Sequence, residues 1–219
     1  MMWIAACMCL MVLALLYYWR TAALKPELIY QENAANRHIL DRLPRLQRRY
    51  FPTFWMFNTH LQLIVLGFKK GFGKKLSYEK SEQLTMADGG TTALHWLGLE
   101  NPADKPTLLV LHTITGSPHS MRAFMRDIFQ LTGWRIVLCQ RRGHGDLPLT
   151  APKFNTMGDS DDLREQIEVT AQRYPDSPLY AIGISAGSGL LVRYLGEEGE
   201  QSKIRGGMAY CPGYNIEHA

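Results

Sequence analysis

Residues 179–187 read LYAIGISAG, and this stretch decides the fold that the sequence predicts. Its first six residues form an apolar run of strand length, and residues 186–196 have a helical pattern. At the junction, Gly183 and Gly187 flank Ser185 in the pattern G-x-S-x-G. Small residues around a serine permit a sharp, strained turn that lifts its hydroxyl above a sheet. We therefore predict that Ser185 is a nucleophile; the alternative is a tight strand–helix turn around an ordinary buried serine.

The sequence around this turn alternates between strand and helix patterns. Apolar runs predict three strands, Thr107–His112, Trp134–Cys139 and Leu179–Ile184, and the first and third are expected to be buried. A fourth strand is predicted over Ile204–Tyr210. Helical spacing predicts three helices: His119–Leu131, Asp159–Tyr174 and Ala186–Gly196. Upstream, the turn signal Asp88-Gly89-Gly90 separates Glu82–Ala87 from Thr91–Leu99, which predicts an antiparallel hairpin. We therefore predict an α/β fold with a mainly parallel sheet, an antiparallel N-terminal hairpin and helices on both faces.

A serine nucleophile requires a base and hydrogen-bond donors for the oxyanion. The residue after the serine supplies one donor through its backbone N–H, and here that residue is Ala186. The second donor is expected in the loop His112-Thr113-Ile114-Thr115-Gly116, which follows an earlier strand, and we predict the Ile114 N–H. We interpret His112 and Gly116 as structural residues that shape this loop, and we do not assign His112 as the base.

The N-terminal residues 1–19 carry no charged side chain. As a helix they would be about 28 Å long, close to the hydrocarbon thickness of a bilayer. Tyr17, Tyr18 and Trp19 then stand where an interfacial aromatic belt is expected. The alternative is a cleaved signal peptide, which would need a charged leading region and an A-x-A cleavage site. We predict an uncleaved single-pass anchor with a cytoplasmic body, because the basic residues all follow the span.

Charge divides the 219 residues into three segments. Residues 1–19 are uncharged, and residues 20–80 hold 12 Lys or Arg and 4 Asp or Glu. Residues 81–219 hold 12 Lys or Arg and 16 Asp or Glu. We interpret these segments as an anchor, a basic amphipathic linker and a partial catalytic domain. A nucleic-acid-binding protein would carry its positive charge on the folded body, so we predict a membrane and no nucleic acid as partner. The apolar residues 51–68 could lie against the domain or the bilayer.

The sequence excludes several other kinds of site. No H-E-x-x-H pattern and no cluster of cysteine and histidine is present, so we predict no metal. Gly71-Phe72-Gly73-Lys74 lacks the spacing of a P-loop, and Gly183, Gly187 and Gly189 do not form G-x-G-x-x-G, which argues against a nucleotide-binding protein. We predict no cofactor.

Three segments together resemble the YheT-like branch of the α/β-hydrolase superfamily. The first is the signature-like stretch Tyr50–Leu63 (YFPTFWMFNTHLQL), and the second is the hairpin Ala87–Trp96. The third comprises four short motifs that occur in the family's order, namely His112–Gly116, Arg142-Gly143, Asp159–Leu163 and Ser185. The resemblance implies the α/β-hydrolase fold, an N-terminal anchor, and hydrolysis of carboxylic esters of fatty acyl lipids such as monoacylglycerols or phospholipids. It also implies a Ser–Asp–His triad. The chain departs from the family in having His112-Thr113 where His-Gly is usual.

The acid and base of such a triad follow the serine on later strands. Only 34 residues follow Ser185, and His218 is their one histidine, too early for the expected base. Asp159 and Asp162 are better interpreted as helix-start residues than as the acid. We therefore expect the C-terminal strands, the triad Asp and the triad His to lie beyond Ala219, and the chain by itself to lack an activated nucleophile. The alternative is a non-catalytic hydrolase-like protein that binds a lipid or a partner.

Overall fold

A computed structural model describes residues 2–72, 76–154 and 158–212. The chain divides into two compact units, Met1–Phe72 and Gly73–Ala219.

The first unit is helical. Its helices are α1 (Met2–Thr21), α2 (Ala34–Arg42) and α3 (Thr59–Phe72), and two short 3₁₀ turns occupy Pro44–Gln47 and Phe54–Met56. Helix α1 is long and apolar enough to cross a membrane, and little of it is buried; a signal sequence would share these properties. The sequence analysis made no helix prediction for α3, because Leu63 and Leu66 lie between Leu61, Ile64, Val65 and Phe68 and mask their helical spacing.

The second unit is a six-stranded sheet with three helices. The strands are β1 (Lys80–Thr85), β2 (Thr91–Leu97), β3 (Thr107–Leu111), β4 (Arg135–Gln140), β5 (Leu179–Ile184) and β6 (Ile204–Tyr210). The helices are α4 (Pro118–Thr132), α5 (Asp161–Arg173) and α6 (Ala186–Glu198).

The strand order is β1-β2-β4-β3-β5-β6. Strands β4, β3, β5 and β6 run parallel, whereas β1 pairs with β2, and β2 with β4, in antiparallel fashion. This arrangement confirms the predicted mainly parallel sheet with an antiparallel N-terminal hairpin. In a parallel sheet the carboxyl ends of the strands share one edge, where ligands bind in α/β folds.

Helices cover both faces of this sheet, so its central strands are apolar on both sides. Leu109 and Leu111 of β3 pack in one core cluster with Leu163 of α5 and Leu190 of α6. The intervening Val110 belongs to the opposite cluster, which includes Met121 and Met125 of α4. The apolar residues of β3 therefore pack alternately into two core clusters, one on each face of the sheet.

The predicted element ends differ from the structure by a few residues. Helix α5 begins at Asp161 and not at Asp159, because the Asp159 carboxylate is outside the helix and accepts a hydrogen bond from the Asp161 N–H at 2.7 Å. Helix α4 ends where predicted: Gly133 adopts φ 59°, the left-handed conformation that terminates helices.

Candidate functional site

Ser185 stands between β5 and α6 in a conformation that few non-glycine residues adopt. Its φ is 54° and its ψ is −115°, and its side chain is exposed. The backbone is held on both sides: the Ser185 N–H donates to the Tyr210 carbonyl at 2.9 Å, and the Ser188 N–H donates to the Ser185 carbonyl at 2.9 Å. Strain of this kind costs about 1–3 kcal/mol and persists only where the surroundings impose it.

The two glycines of the G-x-S-x-G pattern are required by close backbone contacts. A Cβ on Gly183 would lie 2.3 Å from the Gly187 carbonyl oxygen, and a Cβ on Gly187 would lie 2.3 Å from the Leu111 carbonyl oxygen. Neither distance is compatible with a side chain. The glycines therefore allow α6 to begin directly against β5 and β3, which fixes the turn at Ser185.

The loop after β3 lies beside this turn, because β3 and β5 are parallel neighbours with Leu111 opposite Gly183. The predicted donor residue Ile114 is in this loop and is exposed. Ala186 is the first residue of α6, where backbone N–H groups have no partner within the helix. The structure therefore places both predicted donor residues at the carboxyl edge that carries Ser185.

His112 is completely buried at the base of the loop and is bonded on both ring nitrogens. Its Nε2 accepts the Arg141 backbone N–H at 3.1 Å, so its Nδ1 carries the proton that is donated to the Thr113 carbonyl at 2.8 Å. Burial, reinforced by the charge of Arg141, lowers the pKa of His112 to about 3. A neutral imidazole committed to two backbone groups has the structural role that the sequence suggested.

Gly116 is the glycine that this histidine requires. A Cβ at Gly116 would lie 2.5 Å from the His112 Cβ and 2.6 Å from its Nδ1. The Gly116 N–H closes the turn by donating to the Thr113 carbonyl at 2.9 Å. His144 lies nearby, with its ring centroid 5.0 Å from that of His112 and the two rings tilted by 57°, and it also has a backbone hydrogen bond with Ile114. Two buried imidazoles thus hold the loop that carries the predicted donor.

A buried arginine joins three parts of the second unit, and the sequence interpretation missed it. Arg142, after β4, bonds the Asp162 carboxylate of α5 and the Asp88 carboxylate of the hairpin turn. These hydrogen bonds, with Asp162 the largest contributor, raise the pKa of Arg142, and the bonds from Arg142 lower the pKa of Asp88 to about 2. Gly90 must lack a side chain, because its Cβ would lie 2.3 Å from an Arg142 nitrogen. Asp162 is thus both a helix-start residue, as predicted, and an ion-pair partner.

A catalytic triad also needs a base that is hydrogen-bonded to the serine hydroxyl. Within residues 2–72, 76–154 and 158–212, no histidine or carboxylate is hydrogen-bonded to the Ser185 hydroxyl. His218, the one histidine after Ser185 in the sequence, lies outside the described residues. The same described residues contain no group of three or more His, Cys, Asp or Glu side chains suited to a metal ion.

A cavity of about 610 Å³ opens at another place, between the hairpin and the start of α4. In its wall Ser81 Oγ lies 2.7 Å from His95 Nδ1, and Gln140 Oε1 lies 2.6 Å from His95 Nε2. Since the Gln140 amide nitrogen donates to the His144 carbonyl, its oxygen faces His95 and receives that ring's proton. Ser185 is not among the residues that line this cavity. This cavity is therefore separate from the turn at Ser185.

Comparison with known proteins identifies similar chains. A family model described as alpha/beta hydrolase fold matches residues 106–218. Phospholipase ABHD3 of Bos taurus is 29% identical over 206 residues, which cover 91% of this chain and 50% of that protein. Monoacylglycerol lipase ABHD2 of Mus musculus is 26% identical over 208 residues, covering 89% and 47%. The esterase Pf2001 of Pyrococcus furiosus has a TM-score of 0.53 at 26% identity, covering 66% of this chain and 57% of that one.

The chain spans about half the length of the curated relatives that it matches. The family match covers more than half of the chain and includes the strand–turn–helix unit around Ser185. The fold that this family model describes also agrees with the mainly parallel sheet that the sequence predicted and the structure contains. The chain therefore belongs to the family of proteins with the alpha/beta hydrolase fold.

Proposed function

We propose that this protein is a serine hydrolase of carboxylic esters of fatty acyl lipids, and that Ser185 is its nucleophile. One observation carries the proposal: Ser185 combines an exposed side chain with a φ of 54° in a turn that two indispensable glycines define. An ordinary serine in a strand–helix turn has no need of a strained backbone that presents its hydroxyl to solvent. Strained conformations cluster at sites where the geometry serves a reaction.

In the proposed reaction the Ser185 oxygen attacks the carbonyl carbon of the ester while a base takes the hydroxyl proton. The negative charge that develops on the carbonyl oxygen is stabilised by the backbone N–H groups of Ala186 and Ile114 and by the N-terminus of α6. The ester C–O bond then breaks, the alcohol leaves with the proton, and water hydrolyses the acyl-enzyme. We propose that the triad Asp and His come from sequence beyond Ala219.

The nature of the substrate is supported by the relatives. The similar proteins include a phospholipase and a monoacylglycerol lipase by name, and both act on acyl esters of lipids. We further propose that the chain belongs to the YheT-like branch, on the residues Tyr50–Leu63. The apolar, little-buried α1 supports a single-pass anchor over residues 1–19, followed by the basic segment 20–80 and the hydrolase domain 81–219, with the body in the cytoplasm.

A second function is favoured by one observation: within the described part of the chain, nothing that could act as a base is bonded to the Ser185 hydroxyl. We infer that the 219-residue chain alone is almost inactive, since loss of a triad base costs on the order of 10⁴-fold in rate. In that form it would be a non-catalytic protein that binds a lipid ester or a partner.

A fluorophosphonate probe separates these functions. We expect an extended native form to be labelled rapidly on Ser185, as shown by peptide mass spectrometry, and its Ser185→Ala variant to lose that label. The 219-residue chain should be labelled at least about a thousandfold more slowly. Failure of the extended form to react at Ser185 would remove the hydrolase proposal, and rapid labelling of the short chain would remove the inference that it is inactive.

A further inference from the structure

The first unit has a second apolar surface in addition to α1. It consists of the segment from Arg49 to Phe57, which we call the aromatic clamp, and the apolar run of α3 from Leu61 to Phe68. We propose that this surface lies in the headgroup region of the bilayer that α1 crosses. The proposal rests on the proposed anchor role of α1 and adds a second, lateral contact with lipid.

The aromatic clamp is fastened to the C-terminal end of α1. The Tyr18 hydroxyl donates a hydrogen bond to the Pro52 carbonyl, and the Tyr50 N–H donates to the Leu24 carbonyl at 2.9 Å. The ring of Phe54 packs edge-on against Tyr18, with 5.2 Å between the ring centroids. These contacts bury Tyr18, although its neighbours along α1 remain exposed.

A second set of contacts involves Trp19. The Arg49 guanidinium lies 4.8 Å from the centre of the Trp19 ring and donates to the Ala23 carbonyl at 2.5 Å. The Phe51 ring centroid lies 5.7 Å from that of Trp19. The clamp therefore cannot move away from the end of α1 without losing ring packing and hydrogen bonds at several points.

The attachment determines the depth of the clamp. A 20-residue helix is about 30 Å long, the thickness of the hydrocarbon core, so its last turn lies at the boundary with the headgroups. Tyr18 and Trp19 belong to that turn, and rings fastened to them share its depth. Tryptophan and tyrosine are enriched at this boundary because they have an apolar ring and a polar atom.

The outer side of the clamp is free to contact lipid. Trp55 is 67% exposed and Phe51 is 54% exposed. Helix α3 follows directly and exposes four more large apolar side chains, which are Leu63, Ile64, Leu66 and Phe68. Large apolar side chains that are exposed in such number within one short segment are typical of a membrane or protein interface. The fixed position of this segment at the end of a candidate span favours the membrane.

The charge next to the clamp fits an anionic lipid surface. Arg42, Arg45 and Arg48 are exposed, and within the described residues no carboxylate forms an ion pair with them. Arginines close to an anionic membrane are attracted to its surface charge. An apolar patch bordered by arginines is the combination that interfacial membrane segments use.

Native tryptophans allow a direct test. In the full chain, Trp3→Phe with Trp19→Phe leaves Trp55 as the one tryptophan of the first unit, and Trp19→Phe with Trp55→Phe leaves Trp3. The triple variant is the matched baseline, since Trp96 and Trp134 of the second unit remain in all three. Each protein is reconstituted into phosphatidylcholine–phosphatidylserine vesicles whose acyl chains carry bromine, either near the headgroup or near the chain end, or no bromine.

We expect Trp55 emission to be quenched at least about twofold more by shallow than by deep bromines, as its place at the headgroup boundary requires. Trp55 that is unaffected by bromine while Trp3 is quenched would overturn this inference and leave the anchor intact. Quenching of Trp55 without quenching of Trp3 would support the clamp and overturn the anchor. If neither tryptophan is quenched, both proposals are wrong.

Discussion

The Arg142 guanidinium and the Asp162 carboxylate form a two-bond ion pair inside the second unit, with Nε–Oδ2 at 2.8 Å and Nη2–Oδ1 at 2.5 Å. Both side chains are almost completely buried. Its Nη1 donates to Asp88 Oδ2, and its Nη2 donates to Asp88 Oδ1 as well as to Asp162. One cation thus connects the loop after β4, the start of α5 and the hairpin turn. The paired charges therefore tie together three segments that are distant in sequence.

Removal of one partner of this pair leaves a buried charge with fewer partners. We expect Asp162→Ala to lower the free energy of unfolding by about 3–5 kcal/mol, measured by urea denaturation. The matched control is Asp161→Ala, one residue away, because Asp161 is largely exposed and pairs with the exposed Arg164. Its cost should stay below about 1 kcal/mol. Equal losses of unfolding free energy in the two variants would show that the buried Arg142–Asp162 pair stabilises the protein no more than the exposed Asp161–Arg164 pair does.

The glycines of the turn offer a second comparison. Gly187→Ala puts a Cβ 2.3 Å from the Leu111 carbonyl oxygen, so backbone must move. We expect a loss of about 1–3 kcal/mol in stability, together with a loss of any labelling at Ser185. Gly196→Ala in the same helix meets no atom within 4 Å and should instead stabilise the protein by about 1 kcal/mol, the difference in helix propensity. Thermal denaturation of both variants checks the prediction, which fails if Gly187→Ala is as stable as Gly196→Ala.

Strain at Ser185 can be measured without any substrate. Glycine adopts positive φ without a steric cost, whereas alanine retains the strain of the native serine. We expect Ser185→Gly to be more stable than Ser185→Ala by about 1 kcal/mol, although both lack the hydroxyl. Chemical denaturation of the two proteins side by side provides the measurement. An alanine variant that is the more stable of the two would contradict the strained turn.

The buried histidines predict an unusual pH dependence of stability. Burial lowers the pKa of His112 to about 3 and also lowers the pKa values of His95 and His144, so the unfolded chain binds more protons than the folded one below the ordinary value of 6.5. Stability should therefore fall as the pH decreases from about 6.5, by up to about 1.4 kcal/mol per pH unit for each histidine. The lowered pKa of Asp88 stabilises the folded protein at pH values above the ordinary aspartate pKa of 3.8. Asp88 therefore contributes to the loss of stability only below that pH.

Urea denaturation between pH 7 and about pH 5.5 isolates the histidine effect. Glu82, Glu168 and Glu197, whose pKa values are lowered from the ordinary 4.5, contribute to a loss of stability only at lower pH. A His112→Asn variant should show a smaller slope of unfolding free energy against pH in this range, because one titrating group is gone. A variant with the native slope would show that protonation of His112 is not coupled to unfolding.

The fold was largely predictable because its signals are local. Leu179–Ile184 and Ile204–Tyr210 have the predicted bounds. Leu179–Ile184 is an apolar, largely buried run, whereas Ile204–Tyr210 contains an arginine and two glycines and is mostly exposed. Ser185 and its flanking glycines were also evident, because a strained strand–helix turn requires small residues in a fixed pattern.

What the sequence could not predict depends on contacts between distant residues. Arg142 is one of many arginines in the chain, and its burial follows from the meeting of Asp88 and Asp162, which are far apart in sequence. The signal was indirect: Gly90 lacks a side chain because the arginine occupies that space. Helix α3 was missed for another reason. Its helical set Leu61, Ile64, Val65 and Phe68 is masked by further apolar residues between them.

The hydrogen bond from the Ser185 N–H to the Tyr210 carbonyl has a consequence for biosynthesis. Tyr210 ends β6, the last described strand. The hydrogen bond that supports the turn at Ser185 can therefore form only after β6 has left the ribosome and has paired with β5. A nascent chain therefore exposes the proposed anchor α1 before the turn that holds the proposed nucleophile Ser185 is complete.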